Sequence, residues 1–546
     1  MRTITLLLIF VFATPMYLPG QRPEAYDLVI TNARIVDGTG NPWFRGSVAV
    51  RDGRTARVGF VDVSGAKQVI DAHNKIVAPG FIDVHVHSED IFGNPELPVP
   101  LKPEDAPSRR AENFVRMGVT SLITGNCGGS ATDIGKFLGQ IEERQIAVNL
   151  ATLIAHGSVR GKVMGLDDRA PTADEQAKMN AVVEQGMKDG AVGLSTGLIY
   201  VPGTFAKTDE VVELAKVASR YGGTYASHIR DEGNGVAAAV KEAINIGEQA
   251  KMPVEISHFK ISSKALWGQT PMTIGLVQAA RDRGLTVTVD QYAYTASSTS
   301  LDVRLPSWAV AGGRAEGRKR IADPATRTKI VAEMKADLKE KKFKDYSFAY
   351  VASHRAEPSY NGKNIAEITQ MVRKSKKVDD QIDQILEMYD KGGAQMVYKV
   401  MSEDDVQKIM REPFTMIASD SGVREFGAGV PHPRGYGNNA RVLGRYVREL
   451  KIITLEDAIR KMTSLPAQTF GLRDRGQIHE GFAADLVIFD EKTVTDRATF
   501  EAPHQYAEGF SVVIVNGQIV LDGSKMTGAM PGQALRNSAG QGRAAE

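Results

Sequence analysis

The sequence predicts an α/β protein: a closed parallel (β/α)8 barrel of the TIM type, a small β-domain built from both chain ends, and a helical insertion between barrel strands seven and eight. Three observations carry this. Eight short apolar runs alternate with amphipathic segments between residues 81 and 422, the pattern of strand-then-helix units that close into a barrel. β-rich texture brackets that region on both sides. About 120 residues, dense in Lys, Arg and Glu, separate the seventh run from the eighth.

The bulk properties suit this reading. A chain of 546 residues is too long for one small core, and 42% apolar with 24% charged residues is ordinary for a soluble globular protein. With 67 basic against 65 acidic side chains, the net charge is +2. That balance gives no electrostatic footprint for nucleic acid. Cys127 is the sole cysteine, so no intrachain disulfide can form.

Taken in order, the first segment is MRTITLLLIFVFATPMYLPGQ, with Arg2 ahead of an apolar stretch that ends near Tyr17. The stretch is short for a membrane span and Pro15 interrupts it. It reads as a signal peptide (1–24) cut between Ala13 and Ala25, although no clean A-x-A site is present; an uncleaved anchor is the alternative. The expectation is therefore an exported protein, periplasmic or secreted, with no stable membrane span after cleavage. Residues 25–78 (YDLVITNARIVDG, GSVAVRDGRTARVGF, KQVIDAHNKIV) cluster β-formers between Gly and Asn turns and form the first part of the small β-domain.

The barrel occupies 79–474. Its strands are FIDVHVH (81–87), TSLITGNC (120–127), AVNLATLIAH (147–156), AVGLSTGLIY (191–200), TYASHIR (224–230), PVEISHFK (253–260), TVTVDQYAY (286–294) and FTMIASDSG (414–422). Helical segments lie between them; the one over 172–190 opens on Thr172 with Glu175 three residues on, a capping-box signature. The insertion (300–410) is expected to be mostly helical, either a lid over the barrel mouth or a solvated decoration. ITLEDAIRKMTSLPAQTFGL supplies the last helices, and ADLVIFD with FSVVIVNGQIVLDG completes the small β-domain over 475–526. The Gly/Ala/Ser-rich tail, 527–546, is expected to be poorly ordered.

Functional groups of such barrels gather at the C-terminal ends of the strands. Strand one ends in His85 and His87, which share a face because side chains alternate along a strand. Strand two ends in Cys127, three in His156, five in His228, six in His258 and eight in Asp420. Five of the ten histidines fall at these ends, which scattered surface histidines would not do. Imidazole and thiolate bind zinc at about 2.0–2.3 Å, and a carboxylate can complete the shell. A bridging thiolate can hold two ions close together, and as a metal ligand the lone Cys127 would be deprotonated and protected. A nucleophilic Cys127 paired with His156, or an inert buried thiol, are the competing readings.

PGFIDVHVHSED, GVTSLITGNCGGS, GLSTGLIYVPG, ASHIRDEG, EISHFK, QYAYTASST, MIASDSG and HPR with RVLGRYVRE stand in this order. Together with GFAADLVIFDEKTVTDRATFEAP and VVIVNG, they resemble the N-acyl-D-amino-acid deacylases, the D-aminoacylases of the amidohydrolase superfamily. The likeness runs from about residue 26 to 536 and is weakest within 313–400. It implies a tighter zinc on Cys127, His228 and His258, and a weaker position sharing Cys127 with His85, His87 and Asp420. It also implies substrate-binding roles for Tyr200, Lys260, Tyr292 and Ser298, with Lys260 on the substrate carboxylate. Arg230 and Arg434 are further cations that could meet an anionic substrate or serve as structural ion-pair partners.

The function implied is zinc-dependent hydrolysis of the amide bond of N-acyl-D-amino acids, with Asp420 as general base and then general acid toward a metal-activated water. Tyr200 or His156 would help stabilise the oxyanion. The expected partner is a small N-acyl amino acid or short peptide. Alternatives are an exported metallo-dipeptidase on the same centre, or a scaffold that has lost catalysis. Ring opening of cyclic amides usually needs a carboxylated lysine, and the end of strand four offers Tyr200 instead.

Overall fold

A computed structural model describes residues 25–89 and 106–537; the segment expected to be a signal peptide, 1–24, falls outside them. Its centre is a ring of eight parallel strands: Phe81–Asp83, Val119–Thr124, Asn149–Thr152 continuing as Ile154–Ala155, Gly193–Gly197, Thr224–His228, Val254–Ile256, Val287–Gln291 and Thr415–Ile417. Each pairs in parallel with the next. The ring closes through a parallel bridge between Val86 and Ser421, where the His87 N–H donates to the Ser421 carbonyl at 2.9 Å. Every residue of these strands is buried, which is why they read as continuous apolar runs rather than as alternations. Helices such as Ala173–Lys188, Thr208–Ser219, Val236–Ala250 and Thr270–Asp282 pack around the outside. The first of these carries the full capping box of Thr172 and Glu175, worth about 1 kcal/mol at a helix start.

The small β-domain is one nine-stranded sheet in which the chain ends meet: Ile76–Pro79 pairs antiparallel with Leu486–Phe489. Period-two alternation divides its faces. Leu486, Ile488 and Ile514 join a core with Leu28, Ile30, Val48 and Val77, private to the sheet. Val487, Phe489, Val513 and Val515 turn the other way into the large core shared with the barrel. The strand Ile76–Pro79 runs through Gly80 directly into the first barrel strand, so the sheet anchors the segment that carries His85 and His87.

Two regions differ from expectation. The insertion has its helices, Arg314–Ala322, Pro324–Glu340, Ile365–Arg373 and Val378–Asp390, but it also contains a three-stranded antiparallel sheet. In that sheet Gln395–Tyr398 lies between Ser297–Ser300 and Ala349–Ser353. Glu403–Arg411, placed in the insertion by the sequence reading, packs as a barrel helix against the seventh and eighth strands. The tail is the second correction. Residues 527–537 are not loose: Gly532 and Leu535 donate to Ile146 and Leu150, Leu150 donates to Gln533, and Asn537 donates to Gly190. Arg536 adds an ion pair with Glu142. Backbone satisfaction against the N-terminal side of the barrel outweighs the Gly-rich composition. Residues 538–546 lie outside the described residues.

Candidate metal centre and cavity

The ends of the strands bring the ligand-type side chains to one place. Cys127 Sγ lies 3.2 Å from His85 Nε2, 3.4 Å from His228 Nδ1 and 3.5 Å from His258 Nε2. His87 Nε2 is 3.3 Å and His85 Nε2 3.7 Å from Asp420 Oδ1. Three overlapping sets have donor atoms within 4.8 Å of one another: His85, His87 and Cys127; Cys127, His228 and His258; His85, His258 and Asp420.

The backbone is bent to achieve this. Cys127, His258 and Asp420 all take left-handed conformations, with φ of 53°, 37° and 50°. Such a state costs a non-glycine residue about 1–3 kcal/mol and persists only where surroundings impose it. Here they do. The His258 N–H donates to Asp290 at 2.8 Å, and the Ser419 N–H donates to the Asp83 carboxylate at 3.0 and 3.1 Å. Gly197 admits the Cys127 loop, because a Cβ there would stand 2.0 Å from the Cys127 carbonyl oxygen.

Two carboxylates orient the imidazoles. Asp290 Oδ2 lies 3.0 Å from His85 Nδ1, leaving Nε2 toward the thiol. Glu232 Oε1 lies 2.8 Å from His258 Nδ1 and does the same there. This arrangement fixes the tautomer and raises the basicity of a ligating imidazole. Sequence reasoning singled out neither residue. An acid in the buried run TVTVDQYAY was the available signal for Asp290; Glu232, in ASHIRDEG, follows a strand end with nothing periodic to mark it.

Electrostatics match a metal site. Burial opposes the Cys127 thiolate, yet His85 and His228 hold its pKa well below the usual thiol value. Burial likewise opposes charge on His87, but Asp420 and Cys127 raise its pKa to about 10. Burial would raise Asp420; Arg434 and His85 instead keep its carboxyl well below the ordinary range. A thiolate among imidazoles with one ionised carboxylate is a donor set for zinc-like divalent ions. The residues fit such an ion.

The cluster opens into a cavity of about 530 Å3. Tyr200, Lys260, Ser298 and Arg434 line it, as do Glu232, Arg424 and the insertion strand Ser297–Ser300. Arg434 Nη1 is 2.9 Å from Asp420 Oδ2. Lys260 is paired with Glu232 and donates to the His258 carbonyl at 2.9 Å. The Tyr200 hydroxyl meets Thr299 Oγ1 at 2.9 Å, and its ring stands edge-on to His228.

Three sequence-singled residues are elsewhere. Tyr292 does not line the cavity: its hydroxyl points at Met401 Sδ, and its ring supports Arg434 from 4.5 Å. His156 is bound to Glu210 at 2.9 Å, alongside Arg160, so it neither activates Cys127 nor reaches the cavity. Arg230 is a structural ion-pair partner, with Nε and Nη2 each 2.9 Å from Glu242 and further bonds to the carbonyls of Thr204 and Ala206.

A closed parallel barrel with thiolate, imidazoles and carboxylate at its C-terminal rim is amidohydrolase architecture. Models described as "Amidohydrolase family" match residues 76–261 and 348–521. The chain is 33% identical to a D-aminoacylase of Alcaligenes xylosoxydans xylosoxydans over 94% of its length and 99% of that protein, and equally identical to an N-acyl-D-glutamate deacylase of the same organism. It superposes on the N-acyl-D-glutamate deacylase of Bordetella bronchiseptica, solved with zinc and a phosphonate mimic of the tetrahedral intermediate. The TM-score is 0.78 at 32% identity, covering 94% of this chain and all of that one. A structure concerned with the binuclear metal centre of D-aminoacylase matches equally well. The chain belongs to the D-aminoacylase family of amidohydrolases. No helix of the described residues is long and apolar enough to cross a membrane.

Proposed function

We propose that this protein hydrolyses the amide bond of N-acyl-D-amino acids, releasing a carboxylic acid and a D-amino acid. One observation carries the reading most: Cys127 stands among His85, His228 and His258, with Asp420 beside them, at the floor of a cavity that presents a buried arginine. In the proposed arrangement Cys127, His228 and His258 hold the tighter zinc, and His85, His87 and Asp420 define a weaker position that shares Cys127. Zinc, when bound, supplies Lewis-acid polarisation of the scissile carbonyl and lowers the pKa of water.

The remaining work falls to the chain. Asp420, ionised and held by Arg434, accepts a proton from the attacking water. As the C–N bond breaks it returns that proton to the departing nitrogen, while the water oxygen ends in the new carboxylate. Tyr200 donates its hydroxyl to the developing oxyanion. The free α-carboxylate of the substrate is met by Arg434, whose Nε is buried and has no hydrogen-bond partner among the described residues. Lys260 supports it through its charge, since its donors are engaged by Glu232 and His258. The Ser298 hydroxyl already donates to the Met396 carbonyl at 2.7 Å, so it offers the substrate its lone pairs and its place in the wall. With the carboxylate fixed on one side and the carbonyl on the other, one handedness at the α-carbon fits; the D preference is the one named for the relatives.

The test is a chiral product assay over N-acetyl D- and L-amino acids and dipeptides, with metal content measured on the same preparation. Turnover confined to D-acyl substrates supports the reading. Turnover of dipeptides alone would replace it with a peptidase, and a folded, metal-free, inactive native preparation would replace it with a scaffold. We also propose that residues 1–24 direct export; a mature N-terminus between residues 13 and 25, read from exported protein, is the expected result.

A further inference from the structure

Beside the metal cavity lies a second one, of about 480 Å3, that the mechanism does not use. The two share Tyr200 and Ser300, and the Tyr200–Thr299 hydrogen bond at 2.9 Å stands at their junction. Past it the wall is mixed: Leu166, Ile199, Val201, Val303, Leu305 and Val310 share it with several hydroxyls, two arginines and an aspartate. The charged groups there are already matched: Arg230 with Glu242 and Arg314 with Asp302, each at 2.9 Å. With those charges paired, the chamber offers none uncompensated to an ionic occupant, and its aliphatic side chains can bury an apolar one.

Its position says which part of a substrate would enter. Arg434 and Asp420 follow the eighth barrel strand, whereas Tyr200 follows the fourth. In a ring of eight, those two strands face each other across the mouth. A substrate whose carboxylate sits at Arg434, and whose carbonyl lies over the metal ligands, points its acyl group at Tyr200.

We propose that this second chamber is an acyl-chain site, and that the protein's favoured substrates are N-acyl-D-amino acids with a medium-length, unbranched aliphatic acyl group rather than acetyl. The proposal rests on the reaction inferred above. The Tyr200–Thr299 contact is the threshold such a chain passes. Each methylene buried beyond it is worth roughly fourfold in affinity. Because the contact is equally present in ground and transition states, the gain falls in KM rather than kcat.

The experiment measures kcat and KM for one D-amino acid carrying acetyl, butyryl, hexanoyl and octanoyl groups. The expected result is a rise in kcat/KM of roughly fourfold per methylene once the chain exceeds about four carbons, through falling KM. Val310→Trp and Leu166→Trp, each filling the chamber away from the metal ligands and Arg434, are expected to keep acetyl turnover within about twofold and to remove the gain. Two substitutions at separate positions guard against one that fails to fold. A flat or falling profile with active acetyl substrate would overturn the chamber's role and leave the reaction standing, as would a profile unchanged in both variants. Inactivity toward the whole series, acetyl included, would overturn the reaction and this proposal together.

Discussion

The Asp420→Asn substitution isolates the proton-transfer step. The amide is nearly isosteric with the carboxylate, so packing around it survives, but it can neither accept nor return a proton. Asp420 contacts Arg434 Nη1 at 2.9 Å and His87 Nε2 at 3.3 Å. Burial opposes its charge, and Arg434 and His85 more than restore it, so the group is ionised at neutral pH. Positioned acid–base groups contribute about 10²–10⁴ in rate, which is about 2.7–5.5 kcal/mol of barrier. A second effect must be separated from this. The amide strands the Arg434 guanidinium, whose side chain is 3% exposed, and breaking a buried pair costs about 3–5 kcal/mol of stability. The double variant Asp420→Asn/Arg434→Met removes the stranded charge. The assay is kcat at saturating N-acetyl-D-amino acid, with metal per chain and thermal unfolding followed in parallel. The expected outcome is a 100- to 10,000-fold lower kcat in the single variant and no recovery in the double, with metal retained through Cys127, His228 and His258. A kcat within tenfold of the parent, or recovery in the double variant, would refute the assignment.

Three further outcomes are expected. Glu232→Gln removes the carboxylate on His258 Nδ1 and unbalances Lys260; metal affinity by chelator competition should fall about 10- to 100-fold, and unchanged affinity would deny it that orienting role. Metal uptake should release protons at pH 7, because His87, raised to about 10, is protonated in the metal-free cluster and a ligating imidazole must be neutral. Affinity therefore rises with pH as His87 gives up its proton; calorimetric heats that do not depend on the buffer's protonation enthalpy would contradict this. Arg434→Met should raise KM for substrates with a free α-carboxylate by about 10- to 150-fold, the worth of a charge-assisted hydrogen bond, and an unchanged KM would place the anchor elsewhere.

The barrel was legible because its strands are buried on both faces and punctuated by amphipathic helices, and its rim because His85, His87, Cys127, His228, His258 and Asp420 are chemically unusual at strand ends. The small β-domain showed itself through alternation at both chain ends, which the sheet turns into two separate cores. What escaped has physical reasons too. The insertion strand Ser297–Ser300 reads SSTS, with no apolar alternation, because it lines a polar cavity. Asp290 and Glu232 act through hydrogen bonds to other side chains, a relation fixed only in three dimensions. Arg230 comes just after the fifth strand and Arg434 opens the helix that follows the eighth, yet Glu242 binds one away from the metal cavity while the other pairs with Asp420 inside it. Burial distance along the sequence cannot separate two such arginines. Tyr292 is a similar case: the residue type and register fit substrate binding, but the ring is spent underneath Arg434.

The proposed reaction requires that a sulfur at the barrel rim coordinate metal together with imidazoles from distant strands. X-ray absorption at the zinc edge tests it most directly on the zinc-loaded protein. A scattering shell of one sulfur at about 2.3 Å with nitrogen at about 2.0 Å, lost on Cys127→Ser, is the expected result. A zinc environment of nitrogen and oxygen alone, unchanged by that substitution, would contradict it.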